Sequence, residues 1–167
     1  MSPIGFGALL SQLFILGCES GACPRFRLVG GQVAAVHGHD LRDAALPPLW
    51  QRDDRESLLL QIDQARREAR PLALLATATT VSGDGLNLEV VMAPLLGPDG
   101  HADRMIGLYQ LLEPRPLVCG RPVSQLQLRS ARILDEHAGN ERTGNGGLQT
   151  QRARHLRLVV DNGRRVA

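Results

Sequence analysis

His37 and His39 are the only close pair of histidines in the chain, and a neutral imidazole facing an apolar cavity is a haem-iron ligand. Their i, i+2 spacing does not put both rings on one face of a helix, which favours a surface or helix-capping role over a ligand pair. The cysteines, Cys18, Cys23 and Cys119, are three in number with no C-x-x-C spacing. Neither a disulfide framework nor a zinc site is expected, and a reducing cytoplasm fits best. Ser11, Ser57 and Ser124 lack the glycine-flanked elbow of a nucleophilic serine, and no Ser-His-Asp set is grouped. Gly144-Asn145-Gly146-Gly147 has neither a strand before it nor a helix after it, so it is not a phosphate loop. All 19 basic residues are arginine, which removes the Walker lysine, Schiff-base chemistry and the kinase ATP lysine. No catalytic constellation remains, and the chain is read as a non-enzyme.

The elements that would position these residues fit one domain. A length of 167 residues with 43% hydrophobic content supports a single core, and no apolar run is long enough to span a bilayer. Phe6 to Gly17 followed by Cys18 has the outline of a lipoprotein signal. No Lys or Arg precedes it, however, and Leu16 is large where cleavage needs a small residue. Phe6, Leu9, Leu10 and Leu13 instead line one face of a short helix running into a strand. Too short to stand alone, that helix is expected to pack on its own sheet or across a dimer interface.

Leu13 to Glu19 and Arg25 to Val29, where Phe26 and Leu28 alternate with arginines, read as an antiparallel hairpin. Gly30 and Gly31 end it; Gln32 to His37 and Asp40 to Ala45 read as short helical pieces, the second closed by Pro47 and Pro48. Asp53 and Glu56 have capping-box spacing ahead of the longest helix, whose expected buried stripe is Leu58, Ile62, Ala65 and Ala69. Pro71 stops it. Period-two patterning then gives strands Leu72 to Thr80, Leu86 to Leu96 and Arg104 to Leu112, joined at Ser82-Gly83-Asp84-Gly85 and Pro98-Asp99-Gly100. Val123 to Leu134 is a strand or a helix, Ala138 to Gln151 reads as a mobile linker, and Arg157 to Val160 as a terminal strand. The expected fold is α+β, a five-stranded antiparallel sheet with helices packed on one face. Its expected bounds are 1–135, followed by a partly disordered Arg-rich tail at 136–167.

That element order resembles a PAS domain. The run GGQVAAVHGHDLRDAALPPLW at 30–50 is similar to the segment after the second strand in small stand-alone proteobacterial PAS-like proteins, with Gly30, Gly38, Leu41, Leu49 and Trp50 in matching places. The ending HLRLVVDNGR at 155–164 is similar to that family's basic ending. The likeness covers about residues 8–135 plus this ending and rests on apolar residues and glycines; His37 and His39 replace more usual aromatic and basic residues. It implies a sensory module of bacterial signal transduction that binds a small ligand or mediates protein association, including homodimers. Its pocket would lie between helices and sheet, with Trp50, Met92 and Met105 beside His37 and His39 as candidate ligand-binding residues, although methionines also serve as ordinary core filling. The ligand or cofactor is not named by the resemblance, and no cysteine lies in the helical segment that flavin photochemistry needs.

A second function is written in the charge. Residues 1–112 hold 9 Arg against 12 acids, a formal −3, and residues 113–167 hold 10 Arg against 5, a formal +5. Such a tail is the mark of a nucleic-acid or anionic-surface binder. Arg152, Arg154, Arg157, Arg164 and Arg165 acting together on duplex phosphates would give a log-affinity slope of roughly −4 to −5 against log salt. Only 3% of residues are aromatic and no recognition helix precedes the arginines, so weak binding lost at physiological salt is expected, and nucleic acid is not the expected partner. The alternating HLRLVV run could instead dock as an added strand on a sheet edge.

Overall fold

The computed structural model describes residues 9–19, 21–112 and 122–135. The chain starts with β1 (Leu13–Gly17) and β2 (Arg25–Val29), then a short helix α1 (Gly31–His37). Two 3-10 turns, Pro47–Leu49 and Arg52–Asp54, lead into α2 (Arg55–Arg67). Strands β3 (Leu72–Thr80), β4 (Gly85–Leu96), β5 (Ala102–Leu111) and β6 (Val123–Ile133) follow. All pairings are antiparallel, in the order β2-β1-β5-β4-β3-β6.

The sheet therefore has six strands rather than the expected five. The sixth is the segment whose sequence left strand and helix open: Ser124, Gln125, Gln127, Arg129 and Ser130 interrupt its apolar residues, as suits an edge strand with one wet face. β6 is held from both sides. On one it pairs along the whole of β3, with bulges after Leu75 and Thr79. On the other the Gln51 amide donates to the Leu126 carbonyl at 2.8 Å, and the Leu128 amide to Asp54 Oδ2 at 2.7 Å. At the opposite edge the Phe26 amide donates to the Ala44 carbonyl (3.0 Å) and the Leu46 amide to Pro24 (2.8 Å). The stretch from Leu41 to Asp54 thus touches both ends of the sheet.

Alternation sets the faces. Leu86, Leu88, Val90 and Met92 of β4 share one buried face, as expected, with Leu72, Leu74, Ala76 and Ala78 of β3 beside them and Leu58, Ile62 and Ala65 of α2 above. Three local expectations fail for identifiable reasons. Asp54, not Asp53, flanks α2, and it makes no side-chain cap because its carboxylate is spent on the Leu128 amide of β6. Asp40 to Ala45 is a turn rather than a helix: Asp40 Oδ1 accepts the Arg42 amide and Asp43 is left-handed (φ 61°). Ala69 is also left-handed (φ 51°), two residues past the helix's end at Arg67, and is exposed instead of completing the buried stripe. Of the apolar stripe expected on an N-terminal helix, Leu9 and Leu10 are helical and exposed, Leu13 opens β1, and Phe6 lies outside the described residues.

Candidate functional site

The space between sheet and helices is where the fold could hold a ligand, and each wall is a strand's inward face. Phe14 of β1 is fully buried and lies across Gly107 of β5, where a Cβ would stand 2.1 Å from its ring. That glycine lets the ring lie on the sheet, edge-on to Phe26 (centroids 5.6 Å) and to Tyr109 (6.5 Å). Trp50, brought in by the Pro47–Leu49 turn, closes the far side, and Leu74, Val90, Met92 and Leu126 complete the lining. What is left is an apolar void of about 10 Å³, the space of one water at most. The Trp50 Nε1–H is buried with no hydrogen-bond partner among the described residues.

The candidate residues separate on this frame. Trp50 and Met92 line the void. Met105 is fully buried on the same sheet face, opposite Leu16 and Pro94, but does not reach it. His37 is buried at the end of α1 with its Nε2 2.8 Å from the Tyr109 hydroxyl and its ring edge-on to that tyrosine. It faces a partner, not a cavity: buried rather than at the surface as expected, it has its Nε2 engaged by Tyr109 and not free for an iron. Burial first, then His39, push its pKa down from 6.5 to about 4, against a hydrogen bond to the Val123 backbone that raises it. His39 is exposed, and its Nδ1 donates to the His37 carbonyl at 2.8 Å. Burial also pushes the Tyr109 hydroxyl well above its ordinary value. Sequence reasoning missed Tyr109, the single tyrosine; its place two residues after Gly107 and four after Met105 puts it on the buried face of β5.

Cys18 is buried at the end of β1, its thiol raised to about 11 chiefly by burial; Cys23 is exposed, and Cys119 lies outside the described residues. Among the described residues no group of three or more His, Cys, Asp or Glu is placed to hold a metal, and no helix is long and apolar enough to cross a membrane. The arginines of the terminal tail lie outside the described residues.

No helix among the described residues covers the other face of the sheet. Leu28, Ile15, Ile106 and Ala93 form one cross-strand row, and Leu13, Leu108, Val91 and Ala73 the next. Leu75 and Leu28 on this face are exposed, the rest half-buried among their neighbours.

Solved structures share the arrangement at low identity. The LOV protein of Rhodobacter sphaeroides is 14% identical with a TM-score of 0.51, over 71% of this chain and 73% of that one. The light state of the blue-light photoreceptor Aureochrome1 LOV is 10% identical with a TM-score of 0.50, over 72% and 97%. A light-oxygen-voltage domain studied with a flavin analogue is 10% identical with a TM-score of 0.50, over 66% and 83%. No curated protein matches the chain. The family model described as PAS domain matches residues 1–110, about two thirds of the sequence and every element from β1 to within one residue of the end of β5. With that match and a helix-covered antiparallel sheet in hand, the chain belongs to the PAS domain family.

Proposed function

We propose that this protein is a non-enzymatic PAS signalling module of the bacterial cytoplasm that works by protein association, first of all with a second copy of itself, across the open face of its sheet. One observation carries the reading: two adjacent rows of apolar side chains cross four strands each on the face that no helix among the described residues covers. An exposed apolar surface of this continuity marks a contact with another protein. Residues 1–135 form the working unit in this reading, with 136–167 as an Arg-rich appendage.

The alternative output, a resident small molecule, has less support. A flavin of the kind named for one of the light-oxygen-voltage structures does not fit the residues present. Ligand pockets run to roughly 300 Å³ or more, against about 10 Å³ here. Neither Cys18 nor Cys23 stands among the residues lining that space. Haem fares no better, with His37 engaged by Tyr109.

Multi-angle light scattering on the full chain tests the reading. The wild type is expected as a dimer, and Ile106→Arg, which puts a charge in the middle of the first apolar row, as a monomer with its melting point nearly unchanged. A wild-type monomer at high concentration, or an unaltered dimer in the variant, would refute association through this face.

A further inference from the structure

On the helix side of the sheet, the C-terminal half of α2 passes the β4–β5 hairpin and leaves an open cleft of about 240 Å³. Asp63, Arg66 and Arg67 look across it at Cys18, His101, Ala102 and Asp103. Its charges are arranged unevenly. Arg67 is satisfied by Asp63 one turn back, at 3.3 Å. Arg66 is anchored, its Nε donating to the Ala102 carbonyl at 2.8 Å, while its terminal nitrogens have no partner among the described residues. The main chain of Asp103 is held in place: its backbone carbonyl accepts the Cys18 amide at 2.7 Å. Its exposed carboxylate makes no ion pair among the described residues. Both charges are felt by the Cys18 thiol, Arg66 favouring the thiolate and Asp103 opposing it, yet they do not pair with one another.

An anchored cation and an exposed carboxylate lining one cleft, close enough to act on the same thiol and too far apart to neutralise each other, match a ligand that carries both charges. We propose that this cleft binds a small zwitterion of the α-amino acid type, its carboxylate on Arg66 and its ammonium on Asp103. A simple anion would meet the repulsion of Asp103, and a simple cation that of Arg66. The small floor made by Cys18 and Ala102 limits the ligand to a short side chain, and the volume lies below the range of drug-sized sites. Because the cleft is open to water its ion pairs are individually weak, and a Kd on the order of 1 mM is expected. The site is independent of association through the open sheet face.

Nitrogen-15 correlation spectra of the full chain, titrated separately with L-alanine, N-acetyl-L-alanine and L-alaninamide, test it. L-Alanine is expected to give saturable shifts at the amides of Cys18, Ala102 and Asp103. Each derivative, lacking one of the two charges, is expected to bind about tenfold more weakly or worse. Asp103→Asn, an exposed change that leaves the fold intact, should remove the preference for L-alanine over N-acetyl-L-alanine, and Arg66→Gln should remove binding altogether. Equal responses to L-alanine and N-acetyl-L-alanine, no saturable shift by about 10 mM ligand, or unchanged selectivity in Asp103→Asn would each overturn the proposal. Light scattering on the same samples reports association separately, so failure of one reading is not mistaken for failure of the other.

Discussion

Acidification should weaken the fold through His37 in particular. Its ring is buried between α1 and β5, and its pKa falls from 6.5 to about 4 in the folded chain. Above about 6.5 the ring is neutral in folded and unfolded chains alike and contributes no pH dependence. Between 6.5 and about 4 the unfolded chain takes up a proton that the folded chain refuses, so stability falls as pH falls. Below about 4 both states are protonated and this loss is complete. At about 1.4 kcal/mol per tenfold change in proton affinity, the drop from 6.5 to about 4 amounts to roughly 3 kcal/mol. That is a large part of the roughly 5–15 kcal/mol that holds an ordinary domain together. Urea denaturation at a series of pH values, on wild type and His37→Gln, reads it directly. The variant starts lower, because the Tyr109 hydroxyl loses its partner, but its stability should fall less steeply than that of the wild type between pH 6.5 and about 4. The exposed carboxylates of Asp40, held low by Arg42, and Glu68, held low by Gln64 and Arg70, titrate in both proteins and cancel in the difference. Parallel pH profiles for the two proteins would refute the reasoning.

Three further outcomes are expected. Gly107→Ala drives a methyl into the Phe14 ring and should cost about 1–3 kcal/mol in chemical denaturation; Gly85→Ala, whose nearest neighbour would be 3.6 Å away, should cost far less. Ile62→Asp places an unpaired charge under α2 and should cost roughly 3 kcal/mol or more, whereas Leu60→Asp, on the exposed side of the same helix, should barely move the melting point. Asp54→Ala removes the acceptor of the Leu128 amide, and hydrogen exchange at that amide should accelerate while exchange in β4 stays slow.

Much of this architecture is legible in the sequence because alternation is a local property. β1, β2 and β3 start where the period-two pattern starts, and the glycine and proline punctuation marks both hairpin turns. β6 resists because an edge strand needs few apolar residues. Its partners, Pro71 to Thr80 and Gln51 to Asp54, lie 43 or more residues upstream, and no local signal announces them. The same holds at the candidate site. Trp50 and Met92 are found as large apolar residues of the buried face, but the role of His37 is set by Tyr109, 72 positions away, and spacing within the His37-His39 pair says nothing of it. Charge reads differently again: Arg66 and Asp103 are ordinary surface residues in the sequence, and only the packing of α2 against the hairpin gives them a common cleft.

The Leu41 to Asp54 stretch, which bonds to β2 at one margin of the sheet and to β6 at the other, bears on how the protein behaves when crowded. Unpaired backbone at a sheet margin is a template for runaway strand-to-strand growth into aggregates and fibrils. Here a single connecting segment occupies part of that backbone at both margins, doing by a strap what a barrel does by closure. It also leaves less backbone for the HLRLVV run to pair with. A nick in the strap would free both margins together, so proteolysis there should turn a well-behaved protein into one that precipitates.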